Sequence, residues 1–110
     1  MPMRDDGGMS QSGAELSLDD LEVVEVPEAG RYEARLGGRR VGVAHYQVTG
    51  GRVVFPHTEV DPELEGRGIA SQLARRALDD ARARGLRVVP ACSFFHVYLR
   101  RNPQDADLLA

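Results

Sequence analysis

The stretch E-V-D-P-E-L-E-G-R-G-I-A, from Glu59 to Ala70, decides the fold, because the hydrophobic period of the chain changes within it. The run before and into it, R-V-V-F-P-H-T-E-V from Arg52 to Val60, is rich in β-branched and aromatic residues and reads as a strand. Downstream, Ile69, Leu73, Ala74, Ala77, Leu78 and Ala81 fall on one side of a helical wheel, with Arg75, Arg76, Asp79, Asp80 and Arg82 on the other. That pattern predicts a helix of about four turns. Gly66 and Gly68 lie at the junction. A glycine-rich turn there lets successive backbone N–H groups point into a concavity, and the start of the helix adds about half a positive charge. The same spacing suits a tight strand-to-helix turn that holds nothing, and neither G-x-G-x-x-G nor a Gly-Lys-Ser/Thr nucleotide loop is present.

Working outward, Leu21 to Val26 and Arg31 to Leu36 alternate as two strands on either side of Pro27 to Gly30. Gly37-Gly38 and Thr49-Gly50-Gly51 are hairpin turns that bracket a further strand, R-R-V-G-V-A-H-Y-Q-V. Pro56 interrupts the fourth strand and implies a bulge or a free edge, since proline donates no ladder hydrogen bond; protection of an edge against aggregation is the simpler account of it. Gly85 is placed to end the helix, and Leu86 to Val89 follow as a short apolar strand, expected to be buried on both faces. Phe94 to Arg101 predict a last helix that stops at Asn102-Pro103. The fold class is therefore mixed α+β: an antiparallel β-meander, continued by a β-α-β unit into a mostly antiparallel sheet with one parallel pair, then a short C-terminal helix. Residues 1–17 lack either period and are expected to be a disordered arm, leaving 18–110 as one domain.

With 110 residues, 42% hydrophobic and 28% charged, the composition is that of a globular domain, and no apolar run approaches the ~20 residues of a spanning helix. The first twenty residues carry no apolar signal segment, so a cytoplasmic protein without membrane contact is expected. Cys92 is the only cysteine, which excludes an internal disulfide and a cysteine-based zinc site; no metal is expected. A net charge of −3 disfavours general binding of nucleic-acid phosphate, so no nucleic-acid partner is expected.

The run L-E-G-R-G-I-A, after a strand ending E-V-D-P and before an amphipathic helix, resembles the diphosphate-binding loop of the GNAT superfamily of N-acetyltransferases. Its pattern, Gln/Arg-x-x-Gly-x-Gly/Ala, lands on Glu65, Gly66, Arg67, Gly68, Ile69 and Ala70, with matches at Gly68 and Ala70 and a departure at Glu65. H-T-E-V at 57–60, G-L-R-V-V-P-A-C-S-F at 85–94 and Y-L-R-R-N-P at 98–103 extend the resemblance to a small single-domain bacterial branch, over residues from about 18 to 104. The resemblance implies that acetyl-CoA is the cofactor, bound by the loop from Glu65 to Ala70 with the pantetheine along the fourth strand. The backbone near Val60 would then hold the thioester carbonyl.

It also implies Tyr98 as the general acid for the departing CoA sulfur, and Glu59 as a base. His57 and Glu59 are two apart, so on a regular strand both share a face with Phe55, where a histidine and a carboxylate can relay a proton. Cys92 precedes the last helix, where a thiolate is favoured, and is the nucleophile of an alternative path through an acetylated cysteine. A buried core tyrosine, solvated surface charges and a small buried hydrophobe are the plain structural readings of Tyr98, of His57 with Glu59, and of Cys92. The expected function is acetyl transfer from the CoA thioester to an amine, on a small molecule or a protein, with a homodimer available to complete the acceptor pocket. The alternative is a non-catalytic acyl-CoA-binding or sensing module.

Overall fold

The computed structural model describes residues 18–110, so the arm expected over 1–17 lies outside the described residues. Five strands, β1 (Glu22–Val26), β2 (Arg31–Leu36), β3 (Arg39–Thr49), β4 (Arg52–Val60) and β5 (Arg87–Val89), form one sheet in chain order. Neighbours from β1 to β4 are antiparallel, and β4 pairs with β5 in parallel through the crossover helix α1 (Ile69–Ala83). A second helix, α2 (Ser93–Arg101), follows β5. This is the mixed α+β topology expected from the change of period at Glu59 to Ala70.

The apolar stripe of α1 is the stripe read from the wheel: Ile69, Leu73, Ala74, Ala77, Leu78 and Ala81 are all buried. They pack on Tyr32, Ala34 and Leu36 of β2, Ala44 of β3, and Val53 and Phe55 of β4. Each fully buried Leu or Ile there contributes about 1.5–3 kcal/mol by removal of apolar surface from water. Contact is closest at Gly42 of β3, where an added Cβ would lie 3.2 Å from both Ile69 Cγ2 and Leu73 Cδ1. The missing side chain lets the helix start sit this near the sheet, since a Cβ would require Ile69 or Leu73 to shift by a few tenths of an ångström. Gly85 N–H donates to Arg82 O at 3.2 Å and Leu86 N–H to Ala81 O at 2.9 Å, a paired closure that ends α1 where its glycine predicts.

Two expectations are corrected. His45 opposes His57 while Gln47 opposes Val54, so Tyr46 alone faces both Phe55 and Pro56, and the bulge implied by the proline is in β4. The extra residue reverses the alternation beyond it. Val53 and Phe55 point toward α1, but so do Thr58 and Val60, which oppose Ala44 and Gly42. His57 and Glu59 share the opposite face with each other and not with Phe55. In addition, β5 is not buried on both faces: Val88 is buried, Arg87 is exposed and Val89 is half-buried, because β5 is the edge of the sheet. That edge is met by the C-terminal residues, where Val88 bridges Leu109 and Ala110 N–H donates to Val88 O at 3.0 Å. Ion pairs from Arg75 to Asp105 at 2.8 Å and from Arg82 to Asp107 at 2.7 Å tie this last segment to α1.

Candidate active site

The pairing of β4 with β5 covers only Arg52–Val54 against Arg87–Val89. One further link, from Cys92 N–H to Phe55 O at 2.8 Å, joins β4 to the chain as it turns into α2. Beyond it the two paths diverge, and among the described residues β4 from Pro56 to Val60 has no strand on that edge. The wedge is held open from below by Phe55 of β4 and Phe95 of α2, whose rings stack 4.2 Å apart at 4° and are both buried.

The start of α1 closes the wedge. Gly68 is its N-cap at φ 87°, a left-handed backbone that only glycine adopts without strain, and it offers no side chain to cap the helix. The N–H groups of Ile69, Ala70 and Ser71 have no partner among the described residues; the first helical bond runs from Gln72 N–H to Gly68 O at 3.0 Å. A Cβ built at Gly66 or Gly68 would meet nothing within 4 Å. These donors face a cavity of about 340 Å³ between β4, the glycine loop and α2. An uncapped helix start with open space above it is the arrangement that receives an anion.

Of the residues singled out for the cofactor, Val60, Glu65, Gly66, Gly68, Ile69 and Ala70 line this cavity. Arg67 is exposed and does not. The lining also contains Thr58, Leu64, Ser71 and Phe94, none of which sequence reasoning picked out. Phe94 was available from the pattern, since it lies one helical turn before Tyr98 and so shares its face. Thr58 and Leu64 were not, because their orientation follows from the bulge and from a short 3-10 turn at Pro62–Leu64.

The groups singled out for chemistry fall on two sides of β4. On the α1 side of the sheet, Cys92 and Tyr98 stand behind the cavity lining rather than in it: Cys92 is the N-cap of α2, and its Sγ lies 3.5 Å from the donating Phe95 N–H and 3.4 Å from Oγ1 of the lining residue Thr58. Tyr98 is half-buried one turn after Phe94, with ring centroids 6.0 Å apart. On the other side, His57 Nε2 and Glu59 Oε2 are 2.6 Å apart and exposed, and the His57 ring stacks on His45 at 5.8 Å. The hydrogen bond from His57 holds the Glu59 carboxyl below its ordinary range. Among the described residues no group of three His, Cys, Asp or Glu side chains could hold a metal, and no helix is long and apolar enough to cross a membrane.

Residues 31–108 match the sequence model of the GCN5-related N-acetyl-transferase family. The chain belongs to that family. Protein NATD1 of Mus musculus is 36% identical over 75 residues, which cover 66% of this chain and 68% of the mouse protein. Protein NATD1 of Homo sapiens is 36% identical over 75 residues, covering 66% of each. In fold, the chain is similar to a GCN5-like putative N-acetyltransferase from Staphylococcus aureus, with TM-score 0.66, 22% identity, and coverage of 83% of this chain and 89% of that one. The ribosomal-protein-S18-alanine N-acetyltransferase of Escherichia coli aligns with TM-score 0.55 at 19% identity, over 66% of this chain and 50% of that one. As a GCN5-related N-acetyltransferase, the protein carries out acetyl transfer to an amine.

Proposed function

We propose that this N-acetyltransferase takes its acetyl group from acetyl-CoA, with the diphosphate on the α1 start and the pantetheine along the unpaired half of β4. The observation that carries this reading is the wedge itself: one cavity joins uncapped helix donors to a strand edge, both without a partner among the described residues. The N–H groups of Ile69, Ala70 and Ser71 hold the phosphates, and the edge of β4 from Pro56 to Val60 offers main-chain groups to the amides of the pantetheine, as an edge does to an added strand. The backbone at Val60 holds the thioester carbonyl where negative charge develops. Glu65 places a carboxylate where the family loop has a donor, so the backbone carries the phosphate contacts.

In the direct path the acceptor amine loses a proton toward the His57–Glu59 pair and attacks the thioester carbonyl carbon. The C–S bond then breaks, and Tyr98 donates a proton to the departing sulfur. A second path is favoured by the contact of Cys92 with Thr58 at the cavity wall. There the Cys92 sulfur attacks the same carbon, the C–S bond to CoA breaks, the thiol proton of Cys92 ends on the departing CoA sulfur, and the amine later displaces the acetyl group and restores the Cys92 thiol.

Calorimetric titration with acetyl-CoA and CoA, followed by intact mass of the same samples, tests both. Saturable binding is expected, and a mass gain of about 42 Da, one acetyl group, that vanishes in Cys92→Ala identifies the second path. Binding without the gain leaves direct transfer, which an amine-acceptor screen reads as CoA thiol release. Binding with no turnover on any amine would point to a sensing module, and no binding would overturn the reading.

A further inference from the structure

The face of the sheet opposite α1 is not crossed by a helix among the described residues, and the strand registers lay out its side chains as a grid. One cross-strand row holds Val24, Glu33, Val43 and Glu59; the row on one side holds Val26, Arg31, His45 and His57; the row on the other holds Glu22, Arg35 and Arg40. Glu33 is 5% exposed although no element among the described residues covers it. Its own neighbours bury it: Arg31 Nε at 2.6 Å, Arg35 Nη2 at 2.7 Å and Arg40 Nη1 at 3.7 Å. The first two guanidinium groups hold its carboxyl below the ordinary range, so it is ionised. Three guanidiniums around one carboxylate leave donors without a partner among the described residues, and Arg40, beyond hydrogen-bond reach of Glu33 and 54% exposed, is the most exposed of them.

This cationic cluster is continuous with the His57–Glu59 pair. Arg40 and Glu59 line one polar cleft of about 260 Å³, and Val60 lines both that cleft and the larger cavity behind β4. The end of β4 is therefore a thin partition, with the anion cradle on one side and a cleft of paired opposite charges on the other. Glu33 lies two strands from Glu59, about 10 Å at the usual strand spacing. The cleft opens onto a flat surface on which Arg40, His57 and Glu59 are each more than half exposed, a shape that suits a chain laid across the strands rather than an enclosed metabolite.

We propose that the acceptor docks on this open face and is an acidic polypeptide segment, its primary amine at Glu59 and its flanking carboxylates on Arg40 and Arg35. The bipolar pattern carries the assignment: a cationic amine is complemented by Glu59, and carboxylates about two strands away are complemented by the guanidinium cluster. It rests on the acetyl-transfer reading for the identity of the amine, while docking itself is measured without any cofactor.

Fluorescence anisotropy of two labelled peptides tests it, each with one central lysine, one flanked by Asp and Glu and the other by Arg. The acidic peptide is expected to bind about tenfold tighter or better, and to weaken as salt is raised. Arg40→Glu is expected to weaken the acidic peptide about tenfold and Arg40→Lys much less, both with unchanged acetyl-CoA affinity by calorimetry. Equal binding of the two peptides, no binding of either, an Arg40→Glu variant with unchanged affinity, or preferential acetylation of free amino acids would overturn the proposal. Were Arg40→Glu to lose its circular dichroism signal, the peptide pair and the salt series on the unaltered protein decide. Acidic-peptide binding without acetyl-CoA binding would sustain the docking face and sink the transfer reading, so the two fail separately.

Discussion

Two glycines allow the anion cradle to be tested apart from the stability of the fold. Gly68 (φ 87°) and Gly85 (φ 68°) stand at opposite ends of α1, both left-handed, and an added Cβ meets nothing within 4 Å at either. Replacing either by alanine therefore incurs the same penalty, the left-handed strain of an L residue, about 1–2 kcal/mol. For a domain of this size that lowers Tm by roughly 4–8 °C for each kcal/mol. The two variants differ in one respect: Gly68 lines the cavity and Gly85 does not. A methyl group at Gly68 displaces a bound phosphate from the first-turn donors, and one hydrogen bond to a charged group is worth about 1.5–3 kcal/mol. Gly68→Ala is thus expected to weaken acetyl-CoA binding about ten- to a hundredfold, at 1.4 kcal/mol per tenfold, while Gly85→Ala binds as the unaltered protein does. Differential scanning calorimetry reads the first quantity and titration calorimetry, well below both melting points, the second. Equal affinities in the two variants, with equal losses of Tm, would refute the assignment of the α1 start as the diphosphate site.

Three further outcomes are expected. Asp105, 3% exposed, is held below its ordinary pKa by hydrogen bonds from Arg75 and by the Arg82 guanidinium, so it stabilises the folded state above its unfolded pKa and ceases to as pH falls through the lower folded value. Asp105→Asn should then cost about 1–3 kcal/mol in urea unfolding at pH 7, with the gap to the unaltered protein narrowing in strong acid. Tyr98→Phe keeps the ring beside Phe94 and removes only the hydroxyl; kcat should fall about a hundredfold with the acetyl-CoA Kd unchanged, as steady-state kinetics and calorimetry would show. Gly42→Val forces two methyl groups against Ile69 and Leu73, and should destabilise by about 1–3 kcal/mol in chemical denaturation.

Much of this arrangement was legible before any coordinates. The apolar stripe of α1, the two Gly-Gly hairpins and the period change after Val60 are local signals, and each needs only its own few residues to be read. The glycine loop was legible for the same reason: backbone freedom at Gly66 and Gly68 is written in their lack of a side chain. Pro56 announced a bulge, yet where the extra residue falls decides which side chains face the cavity. That choice depends on pairing with β3, a strand formed by residues from Arg39 onward. Hence Thr58 was missed, and Phe55 was placed with His57.

The sequence by itself determined the elements, their order, the mixed sheet and the site of the uncapped helix, because hydrophobic period, proline and glycine act within a few residues. Only the tertiary structure decided that β4 and β5 part after Val54, that Cys92 meets Thr58, and that Arg31, Arg35 and Arg40 converge on Glu33. Those are contacts between strands and helices far apart in the chain. Their register is set by how a whole core packs, with Phe55 stacked on Phe95 and Gly42 pressed against α1, and no single segment carries that information.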